Sequence, residues 1–159
     1  MSTPNLSSRP ALLFDLDGTL VDSVYQHVLA WRQALEAVGI DLSVWRIHRR
    51  IGMSGGLFLK ALDRELGRSL SYEEADRLRE SHAKRYLEPW DQIRPLPGAR
   101  ELLMTLSAMR VPWAIATSGS QQTAEGPLAM LGIPEGTARS DLHHARTLMR
   151  RALDDLRDT

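Results

Sequence analysis

Asp15 and Asp17 stand two residues apart in the segment Ala11-Leu-Leu-Phe-Asp-Leu-Asp-Gly-Thr-Leu-Val-Asp-Ser23. Two carboxylates this close repel unless a cation or a shared proton lies between them. Such a pair suits Mg²⁺, which takes oxygen ligands and keeps several waters. It also suits covalent chemistry in which one carboxylate attacks a phosphoryl group while the other moves a proton. The structural use of the same residues is a polar turn, since Asp and Gly are ordinary turn formers. A second candidate is Ser118, or Thr117 beside it. The hydroxyl and the amide of Gly119 can hydrogen-bond a phosphate oxygen, whereas the structural use of such a hydroxyl is as a helix N-cap. A third group is basic: Arg46, His48, Arg49 and Arg50 crowd one short stretch. Within and after it, Arg49, Arg50, Ser54 and Lys60 can meet an anionic substrate, or they form a solvated basic face. His48, His82, His143 and His144 show no metal-ligand spacing, and the adjacent pair His143-His144 would point to different faces of a helix.

These residues need elements to hold them. Ala11 to Phe14 is a short apolar run ending in Asp15, the pattern of a buried parallel strand. Asp15 would then sit at its carboxyl end, where open α/β sheets place ligands, and Gly18 lets the chain turn away. Ser23 can cap a helix over about 24–38, with Val24, Val28, Trp31, Leu35 and Val38 at helical spacing and Gly39 ending it. Ser54 can cap the next, whose stripe is Leu57, Phe58, Ala61, Leu62 and Leu66 before Gly67. Ser71 with Glu74 has the form of a capping box, opening a helix that carries Ala75, Leu78, His82 and Tyr86 and stops before Pro89. Residues 20–90 are thus expected to be helical throughout. Proline-rich punctuation at 93–98 marks a boundary. A helix follows with Leu102, Leu103, Leu106 and Met109 on one face, then a second buried strand from Val111 to Thr117, then a helix over 121–131 closed by Gly132. Strand, polar stop and helix therefore recur at Ser118 as at Asp15.

The composition narrows the function. A chain of 159 residues, 43% apolar and 25% charged, suits a globular fold with one core and a small inserted lobe. Twenty basic and twenty acidic residues give no net charge, so no global field favours nucleic acid. There is no cysteine, which excludes disulfides, thiolate zinc sites and Cys nucleophiles. No apolar run reaches membrane-span length, and residues 1–10 lack the apolar core of a signal peptide. The expected location is cytoplasmic.

Asp15-Leu-Asp17-Gly-Thr19-Leu-Val-Asp22-Ser23 after an apolar strand resembles the first motif of the haloacid dehalogenase-like superfamily of phosphohydrolases. In that family the first Asp attacks the phosphate ester and becomes an aspartyl phosphate. The second is the general acid/base and offers its backbone carbonyl to Mg²⁺. The resemblance implies these roles for Asp15 and Asp17, with both holding Mg²⁺ and Thr19 supporting the loop and the substrate. Tyr in place of Asp17 would point to the dehalogenase branch; Asp points to phosphoryl transfer. The hydroxyl ending the second strand resembles the second motif, which implies phosphate binding by Ser118 and Gly119. The helical block resembles the cap of the phosphoglycolate phosphatase and β-phosphoglucomutase-like subfamily, with Arg50 the implied cap contact. The implied fold is α/β, with a discontinuous Rossmann-like core (residues 11–19 plus 91–159), an all-helical cap (residues 20–90) and an incomplete core sheet.

The motifs carry the resemblance over roughly residues 11–133. Family members continue with a Lys that offsets phosphate charge and an acidic pair after another strand. Here no Lys follows Lys84, and no apolar strand ends in an acidic pair. Arg139, the Ser140-Asp141-Leu142 stretch and Asp154-Asp155 are the residues that resemble them in part. The expected function is a Mg²⁺-dependent phosphatase of a small phosphorylated metabolite, impaired by the missing motifs. The alternatives are a catalytically silent homologue acting as a binding protein, and a sugar-phosphate mutase. A phospho-accepting receiver domain fits poorly, because a helical insertion follows the Asp pair. No nucleic acid or membrane partner is expected; a homo-oligomer or a partner chain completing the core is.

Overall fold

The computed structural model describes residues 12–88 and 90–132. Ala11, Arg139, Asp141, His143, His144 and the Asp154-Asp155 pair lie outside them. Two short strands, β1 (Leu12–Phe14) and β4 (Trp113–Ile115), pair in parallel with Phe14 opposite Ile115. The amide of Ala116 donates to the Phe14 carbonyl at 2.8 Å, so the ladder reaches the residue before Thr117. Asp15 and the Thr117-Ser118 stretch thus leave the same end of one two-stranded sheet. Contrary to the expectation of a strand buried on both faces, Leu12 and Leu13 are 43% and 47% exposed. β1 has β4 on one side only among the described residues, and of its three side chains only Phe14 packs against the buried core.

The chain between these strands is not helical from residue 20 onward. Val21–Asp22 forms a short strand, β2, antiparallel to β3 (Arg94–Pro95). Gly18 causes this departure. Its φ of +76° lies where only glycine is at ease, and a Cβ there would sit 2.7 Å from Val24 Cγ2. The turn folds the chain back so that Val21 donates to the Leu16 carbonyl and accepts from the Gly18 amide.

From residue 24 to 87 the elements are all helices: α1 (Val24–Glu36), α2 (Val44–His48), α3 (Gly55–Leu66) and α4 (Tyr72–Leu87). Ser54 accepts from the Leu57 amide, Gly67 closes α3 in the left-handed conformation, and Ser71 and Glu74 form the full capping box. Ser23 departs from the expected cap and makes no capping bond. After a 3₁₀ turn (Trp90–Gln92) and β3 come α5 (Ala99–Ala108), β4 and α6 (Gln121–Met130). α5 buries Ala99, Leu103 and Leu106, while Leu102 and Met109 face solvent rather than joining that face.

Buried residues gather in two clusters. One joins Leu16, Leu20, Val21, Ile93, Leu103, Ile115 and Leu128. The other lies within the helical block around Val28, Trp31, Leu35, Ile47, Phe58, Leu62 and Leu78. α1 and α4 feed both, through Ala30 and Tyr86 on the first side and Val28, Trp31 and Leu78 on the second. No helix of the described residues is long and apolar enough to cross a membrane.

Candidate active site

A cavity of about 390 Å³ opens where the loops after β1 and β4 meet the helical block. Asp15, Asp17, Ser118 and Gly119 border it from the sheet loops, and His27, Trp31, Arg50, Ser54, Arg79 and His82 from the helices. Thr19 is exposed on the Gly18 turn and does not border it, nor do Arg49 and Lys60. Arg49 instead lays its guanidinium 4.8 Å over the Trp45 ring.

The two carboxylates have different surroundings. Asp15 is exposed toward the cavity, and one oxygen accepts from the Leu16 amide at 2.8 Å. Partial burial raises its pKa from the usual carboxylate value; the Leu16 amide opposes this and the charge of Asp17 adds to it. Asp17 moves the other way. Burial works against its ionisation, but the hydrogen bond and charge of His27 and the hydroxyl of Ser23 outweigh it and hold the pKa low. Both partners reach the same oxygen: Ser23 Oγ donates to Oδ1 at 2.6 Å, and His27 Nε2 lies 3.2 Å from it. The buried Ser23 hydroxyl is therefore a ligand of Asp17, which explains why it does not cap α1.

His27 and His82 are functional candidates that the motifs did not reveal. His27 Nδ1 is 3.1 Å from His82 Nε2. The rings belong to a column in which Phe58, Trp31, His82, His27 and Tyr86 follow one another. Centroids are 4.2 Å apart for Trp31–Phe58 and Trp31–His82, 5.2 Å for His27–His82 and 3.9 Å for His27–Tyr86. Burial, then repulsion from His27, lowers the His82 pKa to about 3, so this ring is neutral at pH 7. The available signal was spacing: His27 with Trp31, and His82 with Tyr86, are i,i+4 pairs that place each couple on one helix face.

The second strand's loop also differs from expectation. Ser120, not Ser118, caps α6, accepting from the Thr123 amide. That leaves the Ser118 hydroxyl without a capping duty. The Gly119 amide donates to Thr117 Oγ1 at 3.0 Å, so a phosphate oxygen would have to displace that bond. On the helical side Arg50 pairs with Glu65 at 2.9 Å and donates to the Arg46 carbonyl at 2.6 Å.

As to a metal, the donor chemistry at the strand end is all oxygen, which suits Mg²⁺. One oxygen of Asp15 and the main-chain carbonyl of Asp17 make no hydrogen bond among the described residues, while Oδ1 of the Asp17 carboxylate is taken by both Ser23 and His27. No three His, Cys, Asp or Glu side chains converge on one point among the described residues.

Comparison with known proteins assigns the fold. The profile of the haloacid dehalogenase-like hydrolases matches residues 10–156, reaching well past residue 133, where the recognisable motifs stop. The chain belongs to this family, and within it to the phosphoglycolate phosphatase and β-phosphoglucomutase-like subfamily. It is 34% identical to hexitol phosphatase A of Escherichia coli over 126 residues, 77% of this chain and 54% of that protein. The crystal structure of a hydrolase from Pseudomonas syringae is 54% identical, with a TM-score of 0.77 over 79% of this chain and 57% of that one. A β-phosphoglucomutase-like protein from Bacteroides vulgatus is 26% identical, with a TM-score of 0.63 over 71% and 46% of the two chains. The chain spans about half the length of the curated relatives it matches.

Proposed function

We propose that this chain carries the phosphoryl-transfer site of a phosphatase acting on a small phosphate monoester. The observation that carries this reading is the convergence of Asp15, Asp17 and Ser118 on one cavity roofed by helices. The Asp15 carboxylate attacks phosphorus, the bond from phosphorus to the alcohol oxygen breaks, and an aspartyl phosphate forms. The Ser118 hydroxyl holds a phosphoryl oxygen. The leaving alkoxide takes a proton by way of Asp17, and Asp17 then removes one from the water that hydrolyses the acyl phosphate. Asp17 is ionised in the described arrangement, which suits the second step. Acting in the first step requires that Asp17 first take up a proton, and its second oxygen, which makes no hydrogen bond among the described residues, is the atom that would carry it. One oxygen of Asp15 and the carbonyl of Asp17 are the groups that would hold Mg²⁺, whose charge would offset that of the phosphoryl oxygens.

Residues 11–19 and 91–159 serve in this reading as core and residues 20–90 as a cap that excludes water. The second cluster, which lies wholly within the helical block, supports that division, while the first also draws Leu20, Val21, Ala30 and Tyr86 from residues 20–90. A mutase of the same family would use the same Asp15 chemistry. The competing reading is a silent binding protein. It is favoured by the lack of any lysine after Lys84, because the two guanidinium groups at the cavity among the described residues, Arg50 and Arg79, both come from the helical side. Turnover of a generic phosphate ester with and without Mg²⁺, beside Asp15→Asn, separates the two. Turnover that needs both Mg²⁺ and Asp15 supports the phosphatase; equal behaviour of the chain and its variant supports the silent protein.

A further inference from the structure

His27 on α1 and His82 on α4 meet through one polar contact, Nδ1 of His27 to Nε2 of His82 at 3.1 Å. The ring centroids are 5.2 Å apart and the planes differ by 17°. The facing nitrogens are thus much closer than the centroids. The rings meet edge to edge, as an N–H···N bond requires, rather than face to face. Other rings hold the two planes: Trp31 stacks on His82 with centroids 4.2 Å apart, and Tyr86 on His27 at 3.9 Å and 7°. Stacking fixes the plane of an imidazole but not which edge faces which way, because the two flips of the ring have the same shape. The polar contacts must choose the flip.

The hydrogens follow from charge. Asp17 is ionised, and its Oδ1 lies 3.2 Å from His27 Nε2, so that nitrogen carries a hydrogen. Burial keeps His82 neutral at pH 7, so its ring carries one hydrogen. A single hydrogen between the rings satisfies both facing nitrogens, whether His82 donates it to His27 or receives it. In either case Nδ1 of His27 is taken, and Nε2 is the donor edge toward Asp17. Flipping His27 would turn ring carbons toward both partners and leave largely buried nitrogens unpaired, which is costly. Ser23 Oγ donates to the same Oδ1 at 2.6 Å, so both donors converge on one oxygen of Asp17. His82 makes no hydrogen bond to Asp17 among the described residues and reaches it only through His27.

Resting on the phosphatase reading of Asp17, we propose that His82 is a positioning residue. By bonding to Nδ1 it holds His27 in the flip that presents Nε2–H to Oδ1 of Asp17, and so reserves the other Asp17 oxygen for proton transfer.

The test is NMR of the full chain at neutral pH with isotope-labelled histidine nitrogens. In the parent chain a scalar coupling across the hydrogen bond should join His27 Nδ1 to His82 Nε2. His27 Nε2 should show its own directly bonded hydrogen. His82→Phe keeps a ring on Trp31 and removes the polar edge. It should lose the coupling, and the His27 nitrogen shifts should become an average over two flips. His82→Gln, which can donate or accept at that place, should restore the single His27 form. Melting curves check that each variant is folded, and the parent spectrum stands even where a variant is not. No coupling in the parent chain, or a His27 Nε2 without a hydrogen, overturns the proposal. So does a folded His82→Phe with unaltered His27 nitrogen shifts, or a folded His82→Gln that behaves like His82→Phe. No turnover is measured, so an inactive chain would count against the phosphatase reading alone.

Discussion

His27 holds the Asp17 carboxylate at 3.2 Å through Nε2, while its other ring nitrogen lies 3.1 Å from His82. One carboxylate of the motif is thereby fixed by side chains of the helical block, and the other is left facing the cavity. The difference in surroundings between Asp15 and Asp17 comes from α1 and α4 as much as from the motif itself.

Removing the hydroxyl that shares Asp17 with His27 should be costly. Ser23 is fully buried, and its 2.6 Å bond goes to a charged acceptor. Ser23→Ala should destabilise the chain by about 1–3 kcal/mol. Ser71→Ala, which removes an exposed helix cap, should cost about 1 kcal/mol. Urea denaturation of both variants at neutral pH compares them.

His82 should make the fold sensitive to acid. Its folded pKa is about 3 against an ordinary 6.5, so the unfolded chain takes up a proton that the folded chain refuses. Stability should therefore fall as pH drops through about 6.5 and keep falling toward 3, by an amount on the order of a few kcal/mol. Asp17, with its folded pKa lowered, works in the same direction at the acid end, where protonation removes its bonds to His27 and Ser23. His82→Phe keeps a ring on Trp31 and removes the titrating group. Denaturation midpoints of this variant should change less between pH 7 and pH 4 than those of the parent chain. An equal change would remove His82 from the account.

Gly18 and Gly67 both have positive φ, but only Gly18 is crowded. Alanine at 67 meets open space and should cost about 1–2 kcal/mol from backbone strain. Alanine at 18 adds the 2.7 Å approach to Val24, so it should cost more, roughly 3 kcal/mol in total. It should also disturb the Asp17 and Ser23 contact, visible as a larger loss of any Asp15-dependent activity than Gly67→Ala produces.

For activity, this chain alone should be a very weak phosphatase. Loss of one preorganised electrostatic contact typically lowers a rate by about a hundredfold or more. Here the sheet side of the cavity offers no cation among the described residues. Chelation of Mg²⁺ and Asp15→Asn should each take any measured turnover to background. Robust turnover that survives both would place the chemistry elsewhere.

What the sequence made legible was local. The Ser71–Glu74 box, the Ser54 cap and the Gly67 stop depend on neighbours within a few residues, and each formed as the spacing implies. Asp15 and Ser118 were singled out because each follows an apolar run, and both border the cavity. Ser23 was misassigned because a serine before a helix is ordinarily a cap, and only the Gly18 turn brings Asp17 within reach. The Gly119 amide has the same history, with Thr117 as the unforeseen partner. On α5, Leu102 and Met109 have the same apolar character as Leu103 and Leu106, and periodicity alone does not say which side the neighbours occupy. His27 and His82 lie 55 positions apart, so no spacing rule joins them until α1 and α4 pack.

The pairing of Val21-Asp22 with Arg94-Pro95 has a mechanical consequence. A lobe attached by two independent strings can slide, twist and tilt. Here the outgoing and returning strings are stitched side by side, with Leu96 also bonded to Leu20 at 2.9 Å. The two crossings are thereby held in one register, and Asp17, whose backbone bridges to Val21, is tied to that crossing on one side and through His27 to α1 on the other.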